Sequence, residues 1–186
     1  MPGWIFLDFD GVLNSDVFYT RNKKASEIGD VDPRAVKCLN ALIEKTGAKV
    51  IISSNWRHDM SLDELREVLT KRGFKHPKKV VGKTPDLGEK AVRGYEILAF
   101  LRKRNALKAP FVVLDDNDDM DGVEDAFIRT SPKAGLSMAH VEKAVALLQR
   151  RGSKPVTAAP TKKAAKKRRK KILLPVLKPK RYTWSF

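Results

Sequence analysis

Short apolar runs and amphipathic stretches alternate along the chain. Largely apolar runs with the character of buried strands occupy residues 4–8, 49–52 and 110–114, and weaker ones occupy 79–82 and 127–130. Between them, apolar residues recur at helical spacing, which predicts helices over residues 33–46, 61–71, 93–104 and 137–150. Strands that alternate with helices are typical of an α/β fold, in which a mainly parallel sheet is covered by helices on both faces.

Local signals at helix ends support these boundaries. Asp32 and Pro33 have the pattern of an N-cap followed by the first helical residue, and Gly47 follows the last turn of the same helix. Ser61 and Glu64 have the spacing of a capping box at the start of the next helix. The helix boundaries are therefore predicted by cap residues as well as by periodicity.

Polar residues follow three of the predicted strands. Asp8 and Asp10 come after the first strand, Ser53 after the second, and Asp115 with Asp116 after the strand at 110–114. The carboxyl ends of parallel strands meet at one edge of a sheet, so we expect these residues to share one crevice. An Asp-x-Asp-Gly sequence alone is also typical of a surface turn. The expected convergence of these residues in one crevice favours a functional site instead.

A crevice with these groups suits phosphoryl chemistry. Buried carboxylates need a positive partner, and Mg²⁺ suits a few carboxylates together with a substrate phosphate. One aspartate can attack phosphorus, and a second carboxylate can protonate the leaving oxygen and then activate water. A hydroxyl and a basic side chain can hold the remaining phosphoryl oxygens.

At these residues the sequence resembles the haloacid dehalogenase-like (HAD) superfamily of phosphohydrolases. The segments that match its first, second and fourth motifs are Asp8-Phe9-Asp10-Gly11-Val12, Val50-Ile51-Ile52-Ser53 and Leu114-Asp115-Asp116. Within the superfamily, the sequence looks similar to the HAD domain of multidomain RNA-repair proteins, and less closely to the phosphatase half of polynucleotide kinase-phosphatases. The resemblance implies a Rossmann-like HAD fold over residues 4–148.

The resemblance also implies roles for individual residues. Asp8 is expected to be the nucleophile and Asp10 the general acid/base. Asp8 is expected to bind Mg²⁺ through its carboxylate and Asp10 through its backbone carbonyl, with Asp115 and Asp116 completing the metal site. Ser53 is expected to hydrogen-bond the phosphoryl group.

Some positions keep alternatives. Ser54 is the alternative to Ser53, Asn55 is a further substrate-binding candidate in the same segment, and Asp119 is a weaker metal candidate in a loop that looks plainly acidic. The third motif of the superfamily is a single Lys or Arg near a helix start. Its candidates here, in order of preference, are Arg93, Lys90 and Lys83.

The spacing of the motifs leaves no room for a sizeable lid. About 40 residues separate Asp10 from Ser53, and one helix with the loop or small flap predicted at 14–32 uses most of them. An open, capless crevice can admit a polymer end, which favours a phosphorylated nucleic-acid terminus or a phosphoprotein over a free metabolite. Arg21, Arg57 and His58 are candidates to line the opening, although ordinary surface charge is the preferred interpretation of each.

Charge is distributed unevenly. The net charge is +16, yet all 22 acidic residues lie before residue 150. We expect a phosphatase domain at 1–150 and a basic, flexible tail at 151–186. The run at 162–171 is expected to contact nucleic-acid phosphates; membrane or targeting roles and a solubilising role are the alternatives. Tyr182 and Trp184 could stack on bases or anchor the tail.

Several classes are disfavoured. The single cysteine, Cys38, excludes an intrachain disulfide and lies on an apolar stripe, which predicts core packing. No signal peptide and no run of about 18 apolar residues is present, so we expect no membrane span and a cytoplasmic location; the basic run leaves a nuclear one open. No phosphate-binding Gly-x-x-x-x-Gly-Lys-Ser/Thr loop occurs, so a kinase partner activity would lie on another chain.

The sequence therefore predicts a Mg²⁺-dependent phosphatase that forms an aspartyl-phosphate intermediate and acts on a nucleic-acid end. A phosphatase for a small molecule or nucleotide, with a localising tail, is the first alternative. A non-catalytic nucleic-acid-binding module is the second. The sequence does not decide whether the substrate is RNA or DNA, which end carries the phosphate, or what the oligomeric state is.

Overall fold

The structure is a computed structural model that describes residues 3–23, 30–88 and 91–152, with side chains to residue 150. Its strands are β1 (Trp4–Leu7), β2 (Lys49–Ile52), β3 (Val80–Lys83), β4 (Phe111–Asp115) and β5 (Phe127–Arg129). Its described helices are α1 (Asp16–Arg21), α2 (Pro33–Thr46), α3 (Trp56–Asp59), α4 (Leu62–Lys71), α5 (Arg93–Lys103) and α6 (Met138–Gly152). Short 3-10 turns at Pro77–Lys79 and Glu124–Ala126 precede β3 and β5.

The five strands form one sheet in the order β3-β2-β1-β4-β5, and every neighbouring pair is parallel. β1 lies at the centre, with Leu7 paired with Ile52 of β2 and with Leu114 of β4. The predicted α/β fold is confirmed, and the sheet is wholly parallel rather than mainly so.

Side chains of the sheet alternate between two apolar layers. Ile5 and Leu7 face the layer that α2, α4 and α6 cover, whereas Phe6 faces the layer that α5 covers. On that second face Phe6 meets Phe100 and Phe111 edge to face, with ring centroids 5.7 and 5.9 Å apart. Helices on both faces bury nearly all of the three central strands, which explains why β1, β2 and β4 are almost continuously apolar.

The predicted caps are present. The Asp32 side chain accepts a hydrogen bond from Arg34 N, and Ser61 and Glu64 make both hydrogen bonds of the capping box. Gly47 has φ +64°, the left-handed conformation that closes α2. Cys38 is buried in the apolar layer, as its position on the stripe predicts.

Two short helices were not predicted. Residues 14–32, expected as loop or flap, contain α1, which Ser15 caps by accepting from Phe18 N. A single turn, α3, follows β2 directly. Helices this short carry too few residues for an apolar periodicity, which is why the pattern missed them. Strand and helix ends otherwise differ from the predictions by one or two residues.

No described helix is both long and apolar enough to cross a membrane. The predictions for the tail, including the run at 162–171, Tyr182 and Trp184, lie outside the described residues, and so does Lys90.

Candidate active site

The register of the sheet brings the polar residues after β1, β2 and β4 to one edge. Ser53 N donates to Leu7 O at 2.9 Å, and Asp8 N donates to Leu114 O at 3.0 Å. Asp8, Ser53 and the last residue of β4, Asp115, therefore lie side by side at the carboxyl ends of the three central strands. This is the edge at which parallel α/β sheets bind ligands.

Three carboxylates form a compact cluster at this edge. Asp8, Asp115 and Asp116 each offer one oxygen, and these oxygens lie within 4.8 Å of one another. Asp8 and Asp115 are buried and Asp116 is partly exposed. Burial, and then the charge of Asp8, raises the pKa of Asp115 to about 8, although Arg93 opposes the shift. Burial also raises the pKa of Asp116, with Asp8 adding to the shift.

Arg93 is the positive group inside the cluster. Its Nη1 lies 3.3 Å from Asp8 Oδ2 and 3.3 Å from Asp115 Oδ2. The same nitrogen donates to Ser53 O at 2.6 Å, and Nη2 donates to Asn55 Oδ1 at 3.2 Å. One guanidinium does not neutralise three carboxylates, so the cluster keeps a negative charge that a divalent cation would balance.

Ser53 and Asp115 each present an unused buried oxygen. Within the described part of the chain, Ser53 Oγ and Asp115 Oδ2 have no hydrogen-bond partner, although Arg93 stands at ion-pair distance from the latter. An unpaired buried polar atom costs roughly 1–3 kcal/mol, so such atoms indicate a site that a ligand completes. Ser54 differs, because its Oγ accepts from Trp56 N at 3.4 Å.

The Asp10 side chain is not part of the carboxylate cluster. Its Oδ1 accepts from Asn14 Nδ2 at 2.8 Å and its Oδ2 from Trp56 Nε1 at 2.9 Å. Asn14 also donates to the Tyr19 hydroxyl at 2.7 Å, so α1 supports the arrangement. Sequence reasoning missed both partners of Asp10, since neither residue type nor spacing marks them.

The alternatives for the third motif are separated by position. Lys83 Nζ donates to Arg57 O at 2.7 Å and to Met60 O at 2.8 Å, so it secures α3 and not the carboxylate cluster. Of the two candidates that the structure describes, Arg93 is the one that lies against Asp8. Asp119, the weaker metal candidate, accepts from Arg93 N at 3.1 Å and so caps α5 instead.

The interpretation of Arg57 as surface charge is wrong. Its side chain is buried and forms a 2.6 Å ion pair with the buried Glu96. Its Nη1 also donates to the carbonyl oxygens of Ser53 and Ser54, so the pair fixes the turn that carries the Ser53 hydroxyl. His58 is exposed and lies 3.3 Å from Asp86, as expected of a surface residue.

Two glycines allow the close approach of backbone to the cluster. Gly11 has φ +66°, and a Cβ there would lie 2.4 Å from Asp116 Cγ. A Cβ at Gly94 would lie 2.4 Å from Asp121 O, so the glycine lets the first turn of α5 sit against the loop after β4. A side chain at Gly11 would therefore displace the Asp116 carboxylate, and one at Gly94 would displace the backbone of the loop after β4.

A cavity of about 710 Å³ adjoins the cluster. Asn55 and Arg93 form its wall on the side of the cluster. The rest is formed by the loops after β3 and β4, by Glu96 of α5 and by three residues of α3, namely Arg57, His58 and Asp59, so the two α3 residues expected as candidates to line the opening do line it. Its acidic lining residues outside the Arg57–Glu96 pair are Asp59, Asp86, Asp118 and Asp119. The cavity is therefore polar, acidic and large enough for a nucleoside.

A parallel sheet with buried aspartates after its first and fourth strands is the arrangement that the resemblance to HAD phosphohydrolases implies. Residues 4–141 match the family described as the HAD domain in Swiss Army Knife RNA repair proteins. The chain belongs to this family, which places it among HAD-type hydrolases. No curated protein and no solved structure matches the chain.

In the absence of metal, the free energy of unfolding should depend on the ionisation of Asp115. Its pKa rises from 3.8 to about 8 in the folded protein, so between these values the folded state holds a proton that the unfolded chain has lost. In EDTA, the free energy of unfolding attributable to Asp115 should therefore decrease as the pH rises from about 4 to about 8.

Urea denaturation at about pH 5 and about pH 8 measures this dependence. Asp115→Asn is the control, because it keeps the shape of the side chain and cannot ionise. The decrease in stability between the two pH values should be smaller in the variant. An equal decrease in both proteins would contradict the assignment to Asp115.

Proposed function

We propose that the protein is a Mg²⁺-dependent phosphatase that removes phosphate from a nucleic-acid end through a phosphoryl-Asp8 intermediate. The proposal depends above all on one observation: the Arg93 guanidinium lies between the buried carboxylates of Asp8 and Asp115, 3.3 Å from each. This geometry, next to the unpaired Ser53 hydroxyl, suits the binding and transfer of a phosphoryl group. Membership in a family of HAD domains from RNA repair proteins supports the choice of substrate.

The chain's own residues supply the nucleophile and the acid/base group for both half-reactions. An oxygen of Asp8 attacks phosphorus while the bond from phosphorus to the substrate's ester oxygen breaks, and Asp10 gives that oxygen a proton. Water then attacks the phosphoryl-Asp8 group, and Asp10 takes the proton of the water. The bond between Asp8 and phosphorus breaks, which releases inorganic phosphate and restores the Asp8 carboxylate and the protonated Asp10 carboxyl group.

The donor set fits Mg²⁺. The carboxylates of Asp8, Asp115 and Asp116 are hard oxygen ligands close enough to share one ion, and the Asp10 backbone carbonyl would be a further ligand. When bound, Mg²⁺ would supply charge neutralisation between the nucleophile and the anionic phosphate. The unpaired Asp115 Oδ2 is an oxygen that such an ion would satisfy.

Three groups are suited to hold the non-bridging oxygens of the phosphate. The Ser53 hydroxyl is buried and unpaired, and it can donate one hydrogen bond. Arg93 supplies the positive charge. Asn55 is oriented by accepting from Arg93 through Oδ1, which leaves the amide nitrogen as the donor end of the side chain.

The acidic cavity favours a second candidate substrate, a mononucleotide or another small phosphate ester. Carboxylates in the lining repel a phosphate backbone, so a polymer would place only its terminal nucleoside there. A mononucleotide meets no such restriction. The cavity volume of about 710 Å³ accommodates either group.

Phosphate release across a substrate panel tests the proposal. RNA and DNA oligonucleotides with a 3′ or a 5′ phosphate are compared with the corresponding mononucleotides and an aryl phosphate, each with Mg²⁺ and with EDTA. We expect Mg²⁺-dependent release with the highest kcat/KM on an oligonucleotide end. Higher kcat/KM on mononucleotides would favour the second candidate, and no release from any substrate would contradict both.

A further inference from the structure

Basic side chains gather at the amino-terminal edge of the sheet, opposite the carboxylate cluster. Lys49 N donates to Gly3 O and Trp4 N to Pro110 O, which places the starts of β1, β2 and β4 together. Leu148 near the end of α6 packs against Gly3 at the same edge. The basic residues of the segments that meet here, named the basic edge, are Lys45, Lys49, Lys75, Lys78, Lys79, Arg102, Lys103, Arg104, Lys108 and Arg150.

Acidic residues are scarce in the same segments. In residues 44–49, 73–80, 102–111 and 148–150 the sole acid is Glu44, which lies 3.6 Å from His76. The carboxylate cluster and the acidic cavity lie at the other end of the strands. Positive and negative charge are thus separated along the direction of the strands.

Helix dipoles explain only part of this arrangement. Lys45 lies in the last turn of α2, and Arg102 and Lys103 lie in the last turn of α5, where cations are favoured. Other lysines of the basic edge lie in connecting loops and are exposed, with no ion pair to a described carboxylate; they are Lys75, Lys78 and Lys108. Exposed lysines without a described carboxylate partner remain available to an anionic partner.

We propose that the basic edge binds the phosphate backbone of a nucleic acid, away from the end that enters the crevice. Several lysines on neighbouring loops can neutralise successive phosphates and release the counterions condensed on them. Nearby Trp4, partly exposed with Lys49 Nζ 5.6 Å above its ring, offers a surface for base stacking. The choice of nucleic acid among polyanions rests on the proposed function and on the RNA-repair family.

Fluorescence anisotropy of a labelled single-stranded RNA without a terminal phosphate tests the proposal. The full chain carrying Lys75→Gln, Lys78→Gln and Lys108→Gln is compared with a matched variant. The matched variant replaces three exposed lysines away from the basic edge by glutamine, namely Lys37, Lys133 and Lys143. Both variants lose the same charge, so they differ only in where it is lost.

The first variant should bind RNA about tenfold more weakly at low salt. The steepness with which its log association constant falls with log salt concentration should decrease by about 2, because each of three lost phosphate contacts contributes about 0.7 for a single strand. The matched variant should stay within about twofold of the unmodified protein. Equal losses in the two variants would overturn the proposal. Loss of binding to phosphatidylserine vesicles without loss of RNA binding would also overturn it, in favour of a membrane surface.

The outcome is separable from that of the proposed function. Aryl phosphate release by the first variant should equal that of the unmodified protein, because the basic edge lies at the end of the strands opposite the crevice. If no substrate releases phosphate and yet the first variant binds RNA more weakly than the matched variant, the proposed activity is wrong and RNA binding at the basic edge is supported. If phosphate release is found and the variants bind alike, the basic edge fails alone.

Discussion

Asp8→Asn should reduce Mg²⁺-dependent phosphate release by about 10³-fold or more, because an amide cannot act as the nucleophile. The substitution keeps the size of the side chain and removes the charge of one of three crowded carboxyl groups. The free energy of unfolding in EDTA should therefore be unchanged or higher, which separates lost chemistry from lost folding. Initial rates on an aryl phosphate and on a 3′-phosphorylated oligonucleotide measure the effect.

Asp16→Asn is the matched control for this experiment. Asp16 is exposed in the first turn of α1 and stands apart from the carboxylate cluster. Its substitution should leave the rates within about twofold of those of the unmodified protein. Near-normal rates in Asp8→Asn would remove Asp8 from its role, whatever the stability data show.

Arg93→Met should be the most destabilising substitution at the site. It keeps the long apolar part of the side chain and leaves Asp8 and Asp115 without their buried cation. Removing one partner of a buried ion pair typically costs about 3–5 kcal/mol, and we expect a loss of this size in EDTA. Because Mg²⁺ would bind the same carboxylates, it should restore part of the loss.

Urea denaturation with Mg²⁺ and with EDTA measures this difference. Arg102→Met is the control, because Arg102 is exposed in the last turn of the same helix, where a substitution typically changes stability by about 0.5 kcal/mol or less. An equal loss of stability for Arg93→Met in both buffers would contradict a shared role of Arg93 and the metal at the cluster.

Local sequence signals were enough to predict the fold and the residues at the edge of the sheet. The central strands are buried on both faces, so each is a continuous apolar run, and the polar residues that end such runs stand out. Parallel topology then brings Asp8, Ser53 and Asp115 together without further information. Caps such as Asp32 depend on residues a few positions away and are equally visible.

Features that depend on distant partners could not be predicted. Arg57 stands in a polar stretch and looks like surface charge, yet it is buried because Glu96, far along the chain, neutralises it. The hydrogen bond from Trp56 to Asp10 likewise joins two segments that only the sheet brings together. The basic edge was missed for the same reason, since its lysines are scattered among separate segments.

The hydrogen bond from the Trp56 indole to Asp10 would give an optical signal for the state of the proposed acid/base group. Asp10 accepts hydrogen bonds on both of its oxygens, so donating a proton to a substrate requires it to leave either Trp56 or Asn14. Departure from the indole would change the emission of a ring that also packs 5.0 Å from Phe9. Stopped-flow emission would then time the motion of Asp10 within each turnover, before any phosphate appears in solution.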